Sequence, residues 1–459
     1  MKTKLIILSV LLMSFLSIKA QNTLYSNTKA AKQYSEYLYE SAKGGHAVAQ
    51  NDLGSCYDRG AGVQQDRQKA MEWFLKSAEQ DYFLAHYNLA YYYETGLAGI
   101  KDYQKSFYHY SKALEKNPEL SPAQFKMGVH YLKGWGCEKN KRLAEEWFDK
   151  TATSNSIITK FHVANVFRVE LGKPEKALKL YEICLEHKIP NEEVALLMLA
   201  TMYDNTQYGL MNYTKALPLW LRLAEIGTEH KPTAEYKVGE YYELGKGVSK
   251  DKIHAAQWYM KSAEKGYAAA MLNLSNCYRP DYDKVVYWLQ KAYEKEYIPA
   301  CHNLGDCYYY GNGVEKNYQK AFEIFMKGIE LPVNMYRVAT MYREGKGVQK
   351  NVTKAEELLL KAANAGEWQA QYLIGMDKYK GEIIPKDEKN AVKYLEMALK
   401  NPYIWEDIKG EIYKTLQACY RFKRGVPQKD IEKANMYMKK AQSYGKLDAK
   451  TINKFLCLD

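Results

Sequence analysis

The groups in this sequence that could do chemistry are spaced for binding more than for bond-making. Ser26-Asn27-Thr28-Lys29 and Ser249-Lys250-Asp251-Lys252 each match S-x-x-K, in which a lysine can activate a serine nucleophile. The first lies near the start of the chain and the second in a glycine-rich connection. Nine histidines include no HExxH, and the cysteines no paired CxxC, so no metal site and no cofactor is expected. There is no GxSxG elbow, and Gly239 to Gly245-Lys246 has the wrong spacing for a phosphate loop. Glu145-Glu146 and Glu192-Glu193 read as solvated helix faces, so no catalytic residue is expected. What recurs is a series of hydrogen-bonding groups about 36 residues apart: Asp52, Asn88, Lys126, His162, Lys237, Asn273, Asn303 and Arg337, interrupted by Met198 and continued by Leu373. Tyr91, Arg168, Glu240, Tyr309, Arg343 and Tyr379 flank them. Amide and cationic groups on successive rungs can hold an extended peptide by its backbone or its terminal carboxylate.

Residues 234–267 show which elements would position such rungs. Ala234, Val238, Gly239 and Tyr242 share one helical face; Ala255, Trp258, Tyr259, Ser262 and Ala263 share another. Gly245-Lys246-Gly247-Val248 lies between them and can end one helix and reverse the chain. Asp251 is placed to cap the second helix. A hairpin of two such short helices is marginal alone and needs neighbours. They follow in phase. Gly54, Ala90, Gly128, Ala164, Ala200, Ser275, Gly305, Ala339 and Gly375 repeat the small residue at Gly239. Five residues before it stand alanines such as Ala49, Ala85 and Ala300, and three after it aromatics such as Tyr57, Tyr93 and Tyr308. The second helix recurs at Trp73, Trp147 and Trp220. The small residue should let the two helices approach, and the tyrosine and tryptophan should fill the seam between hairpins. Residues 159–191 have Gly172-Lys173-Pro174 in place of paired glycines, and 195–228 have a longer connection. Residues 270–297 turn at Pro280-Asp281.

This repeat resembles the Sel1-like repeat, a relative of the tetratricopeptide repeat, from about Ser26 to Tyr444, with ten copies and an imperfect one at 405–444. The resemblance implies an all-α fold, a right-handed α-α superhelix or solenoid of about eleven helical hairpins. It implies that the first helices line a concave groove, with Asn88, Tyr91, Lys126, His162, Arg168, Lys237, Asn273, Asn303, Tyr309, Arg337 and Arg343 as its binding residues. Lys126, His162 and Lys237 would form a cationic middle. It further implies a non-catalytic scaffold or adaptor whose partner is a protein or peptide, acidic or with a free carboxylate. Some cysteine-rich relatives bridge the helices of each repeat and are linked to cell-wall and β-lactam chemistry. Regular cysteine pairing is missing here. The alternative of a hydrolase would rest on Ser249, and one of a carbohydrate binder on the 42 tyrosines.

Lys2 and Lys4, the apolar run Leu5 to Leu16 and Ala20 read as a secretory signal peptide over residues 1–20. The organisation expected is then a capping helix in 21–45, repeats over 46–444 and a closing helix or tail in 445–459, exported to a periplasm or beyond. No later segment suits a membrane span. The formal charge of +12 falls to +9 when Lys2, Lys4 and Lys19 leave. No basic block with interleaved aromatics suggests nucleic acid. The mild excess supports attraction to acidic partners or a membrane surface. Cys56, Cys277 and Cys307 occupy equivalent positions, about a helix-packing distance apart and too far to bridge. Most cysteines read as small buried thiols, with Cys277 and Cys301 the pair to examine for bridging.

Overall fold

The computed structural model describes residues 29–187 and 189–444. The signal peptide, the start of the capping segment, Ser26 and the tail after 444 lie outside the described residues. The described chain is all-helical, with 23 α-helices and no strand. A lone helix α1 (Lys29–Lys43) precedes eleven hairpins. In order they are α2 (Ala47–Arg59) with α3 (Arg67–Ala78), α4 (Phe83–Thr95) with α5 (Tyr103–Lys116), and α6 (Ser121–Lys133) with α7 (Lys141–Ala152). Next are α8 (Ile157–Val166) with α9 (Pro174–Glu186), and α10 (Glu192–Asp204) with α11 (Tyr213–Ile226). Then come α12 (Lys231–Leu244) with α13 (Lys252–Glu264), α14 (Ala268–Cys277) with α15 (Tyr282–Glu294), and α16 (Ala300–Tyr310) with α17 (Tyr318–Lys327). The last are α18 (Pro332–Glu344) with α19 (Val352–Asn364), α20 (Trp368–Lys380) with α21 (Glu388–Ala398), and α22 (Glu406–Phe422) with α23 (Ile431–Ser443). None is long and apolar enough to cross a membrane.

The chain divides between Leu219 and Trp220 into two compact units. Within each, the sequence phase becomes packing. The alanines five before the small residue are buried throughout, among them Ala85, Ala123, Ala234 and Ala300. The side chain that lies on the small residue belongs to the second helix, four residues after its alanine: Phe74 on Gly54, Phe148 on Gly128, Tyr259 on Gly239, Phe325 on Gly305. The tryptophan at the preceding position, Trp73, Trp147 or Trp258, is only half-buried. The aromatic on the small residue is therefore one residue after these tryptophans, because one helical residue rotates a side chain by about 100°. Trp73 and Trp147 pack on the clusters of the preceding elements, and Trp220, four after Ala216, is itself buried. The tyrosines three after the small residue do fill seams. Tyr57 packs against both the α1–α2 cluster and the α3–α4 cluster, and Tyr242 against the cluster of α13 to α17.

Both glycines of the paired turn have positive φ, as at Gly245 and Gly247. The first caps the first helix; the Gly245 N–H donates to the Tyr241 carbonyl. The second has another duty. A Cβ on Gly136 would run into the Tyr103 carbonyl, and one on Gly347 into the Tyr318 backbone. Each turn thus lies on the first residue of the preceding hairpin's second helix, backbone against backbone. Second helices other than α9, which opens on Pro174, begin with a side-chain cap: Asp66 accepts from the Lys69 N–H and Asp251 from the His254 N–H. Where the glycine pair is missing, a π-helical turn, Phe167–Leu171, carries the chain to Gly172 at positive φ. The seven described cysteines, Cys277 and Cys301 included, are free thiols. Burial pushes the thiols of Cys184, Cys277, Cys307 and Cys419 up to about 11.

Unit 1 holds a histidine pair between α4 and α5. The Nδ1 atoms of His86 and His109 are 3.0 Å apart, and His109 stacks on Tyr93. Burial, with His86 and Lys105 adding, pushes the His109 imidazole down to about 4. Burial also lowers that of His86, against the opposing charge of Asp81 and with Lys112 and Lys116 contributing. Both rings are thus neutral in the fold where the unfolded chain would protonate them. The stability this preserves is complete above about pH 6.5 and is lost as pH falls toward His109's folded value. Thermal melts of the parent should fall by a few degrees between pH 7 and pH 4.5, and His109→Phe should flatten that part of the profile. An unchanged profile in the variant would refute the assignment.

Candidate functional site

The rung series sits on the first helices, and each unit orders it with internal bonds. In unit 1, α2 and α4 are joined by Asn88, whose Nδ2 donates to Asn51 Oδ1 at 2.9 Å. Lys126, on α6, reaches back to α4 and meets Glu94 Oε1 at 2.6 Å, with its ammonium also over the Tyr91 ring. Tyr110 donates to the other Glu94 oxygen at 2.9 Å, and His130 approaches it at 3.8 Å. Burial opposes ionisation of Glu94, and the His130, Lys126 and Tyr110 contacts outweigh it, holding the carboxyl at about 2. His162 lies beside Phe125 and Phe161. Burial, with Lys126 adding, lowers its imidazole below the ordinary value, so it is an uncharged rung. Arg168 stands in the π-helical turn and donates through Nε to Tyr181 Oη at 3.3 Å.

Unit 2 repeats the logic with other residues. Lys237 is 3.1 Å from Glu240 Oε2, whose second oxygen accepts from Lys246. Asn273 donates to the Tyr259 hydroxyl at 3.2 Å. Asn303 is half-buried. Tyr309 is buried between Tyr310 and Tyr318, its hydroxyl 3.3 Å from Lys346 Nζ. Arg337 spans to Asp306 on the preceding first helix, at 3.1 Å, and its guanidinium lies over Tyr310. Arg343 holds Asp377 on the next first helix through two bonds, of 2.6 and 3.0 Å.

The face is therefore a mosaic of paired charges and amides, in which Lys126, Lys237, Arg337 and Arg343 each have a carboxylate against them. Sequence spacing placed Glu240 beside the rungs but missed Glu94, Asp306 and Asp377, which lie one, one and two residues after Tyr93, Gly305 and Gly375 of the pattern. Their signal was available as an acid 31–34 residues from a base, close to the repeat length. A second series was also missed. A basic residue just before the second-helix alanine, or one further back, lies over the seam tyrosine: Lys105 over Tyr93, Lys320 over Tyr308, Lys354 over Tyr342, with His254 stacked on Tyr242.

The S-x-x-K serine at 249 is exposed on the turn before α13, and its lysine, Lys252, opens that helix. No side-chain hydrogen bond to the Ser249 hydroxyl is present among the described residues. No group of three or more His, Cys, Asp or Glu converges to hold a metal there either.

The family model of the Sel1 repeat matches residues 47–82, 84–118, 121–156, 232–267, 268–297, 298–331, 335–367, 368–403 and 418–441. It passes over 157–231, where the glycine turn is replaced, although the hairpins α8–α9 and α10–α11 are present. Among solved structures, the chain is similar to a protective antigen present in uropathogenic Escherichia coli strains displaying an SLR fold. That likeness has 23% identity and a TM-score of 0.61 and covers 92% of this chain and 93% of that one. A Sel1 repeat protein from Oxalobacter formigenes is 25% identical with a TM-score of 0.51, over 72% of this chain and 93% of that one. No curated protein matches the sequence.

Proposed function

This chain belongs to the Sel1 repeat family, and from that premise we propose that it is an exported, non-catalytic scaffold whose first helices hold a protein or peptide partner. The observation that carries the reading is that the rung groups are fixed by their neighbours. Lys126 is set by Glu94, Asn273 by Tyr259, and Arg337 by Asp306 and Tyr310. Side chains ordered in advance lose little further entropy when a ligand arrives. Asn88, Asn273 and Asn303 offer amide groups that match an extended backbone. Lys126 and Arg337 offer charge to an acidic side chain or a terminal carboxylate that competes with their present partners. Export rests on the signal-like residues 1–20.

A photo-crosslinking amino acid at Asn273 or Asn303 should capture the partner in the native host, whereas one at Gln257 on the exposed side of α13 should not. The double variant Asn273→Ala/Asn303→Ala should lower capture at a neighbouring rung about tenfold, by loss of two hydrogen bonds of roughly 0.5–1.5 kcal/mol each. Equal capture from Gln257 would refute the first-helix assignment.

A further inference from the structure

One edge of unit 2 carries a feature that the first-helix face does not explain. It is the edge formed by the turns from first to second helices. These turns are adjacent, because Gly313 lies on Tyr282, Gly347 on Tyr318 and Gly425 on Glu388. In five of the six turns the residue before the helix cap is a lysine: Lys250, Lys316, Lys350, Lys386 and Lys429. The stems of the first four pack over the glycine that ends the preceding helix: a Cβ on Gly245, Gly311, Gly345 or Gly381 would meet the lysine Cγ or Cβ at 2.8–3.3 Å. That contact fixes the root of these four lysines, while all five residues are exposed, the Lys316 ammonium lying over the Tyr318 ring. Among the described residues no ion pair engages Lys250, Lys316, Lys350 or Lys429; Lys386 meets Glu388 at 2.9 Å. Of the acids on these turns, Asp251, Asp387 and Asp430 accept from helix N-terminal N–H groups, while Glu315 and Glu382 are exposed beside the lysines.

The same edge exposes large apolar side chains. Ile253, in the first turn of α13, is 74% exposed, and Phe422, at the end of α22, is 58% exposed. Ile383, in the α20–α21 turn, and Ile431, opening α23, are exposed as well. A soluble polyanion would use the lysines and leave these residues in water. A bilayer uses both, because apolar groups enter the interface while lysines meet lipid phosphates.

We propose that the turn edge of unit 2 docks on the surface of an anionic phospholipid bilayer. The lysines supply the electrostatic attraction, and Ile253, Ile383, Phe422 and Ile431 insert at headgroup depth. This surface is separate from the first-helix face, so the two assignments stand or fall independently.

The test is co-sedimentation of the full chain with vesicles. Vesicles of phosphatidylcholine containing 30% phosphatidylglycerol should bind it, pure phosphatidylcholine vesicles should bind it weakly, and 0.5 M salt should release most of it. The triple variant Lys250→Gln/Lys316→Gln/Lys350→Gln should lower partitioning on the order of 100-fold, from the usual contribution of each lysine near a charged surface. Ile383→Ser/Phe422→Ser should also lower it, with an unchanged helical circular-dichroism spectrum. The Asn273→Ala/Asn303→Ala variant should partition like the parent. Binding to heparin or polyglutamate without binding to the anionic vesicles would overturn the proposal. So would parental partitioning by the lysine triple variant or by the apolar double variant.

Discussion

Gly239→Leu is expected to destabilise unit 2 by about 3 kcal/mol, near the upper end for overpacking a closed contact. A Cβ alone at this position would lie 2.7 Å from the ring of Tyr259, which is fully buried and bonded through its hydroxyl to Glu243. The ring cannot withdraw without giving up that bond or displacing Met271 and Leu274, which belong to the same core cluster. Gly239→Ala should cost less, because it adds one carbon where leucine adds four, although that carbon at 2.7 Å still forces the ring to shift. Urea denaturation followed by circular dichroism measures both. A midpoint for Gly239→Leu equal to the parent's would overturn the close-contact account of the hairpin. Because each repeat touches only its neighbours, the loss should be concentrated in the hairpins around α12 and α13, read as local gain of hydrogen exchange.

The second large effect is expected from Arg343→Ala. Arg343 and Asp377 keep only 14% and 9% of their side-chain surface exposed, and the pair joins two successive first helices. Burial lifts the Asp377 carboxyl above its ordinary range even with the Arg343 guanidinium opposing it. Removing the arginine leaves a buried carboxylate without its partner, a loss of roughly 3–5 kcal/mol in such settings. The sign of the pH dependence follows. With Arg343 gone, Asp377 is lifted further and favours the protonated form in the fold, so the deficit should be greatest at pH 7 and shrink toward pH 4. Denaturation at both pH values checks this. The double variant Arg343→Met/Asp377→Leu should recover most of the stability, since no charge remains buried. A deficit independent of pH would show that the lost packing of the arginine stem, not the stranded carboxylate, is responsible.

The repeat itself was legible because its determinants are local. A small residue at Gly239, an alanine five before it and paired glycines after it each constrain one hairpin, and the hairpin needs nothing distant to define its outline. The hairpins α8–α9 and α10–α11 remained legible where the glycine pair fails, since the apolar faces persisted although the turn became π-helical in the first and a 3-10 turn, Thr206–Tyr208, in the second. The identity of the core aromatic was less legible. Trp73 and Phe74 are adjacent and both apolar, and only the rotation of α3 against α2 decides that Phe74 covers Gly54.

The rung residues were found in sequence, but their electrostatic character was not. Lys126 and Arg337 read as cations on a groove; Glu94 and Asp306 become their partners only when successive first helices stand side by side. Sequence alone determined the hairpin, its period and its all-helical class, because helix periodicity and turn chemistry act over a few residues. Tertiary structure alone decided which charges meet, which aromatic closes each hairpin and which lysines stay open on the turn edge, because those outcomes depend on the rotation and register of helices some 30 residues apart in the chain.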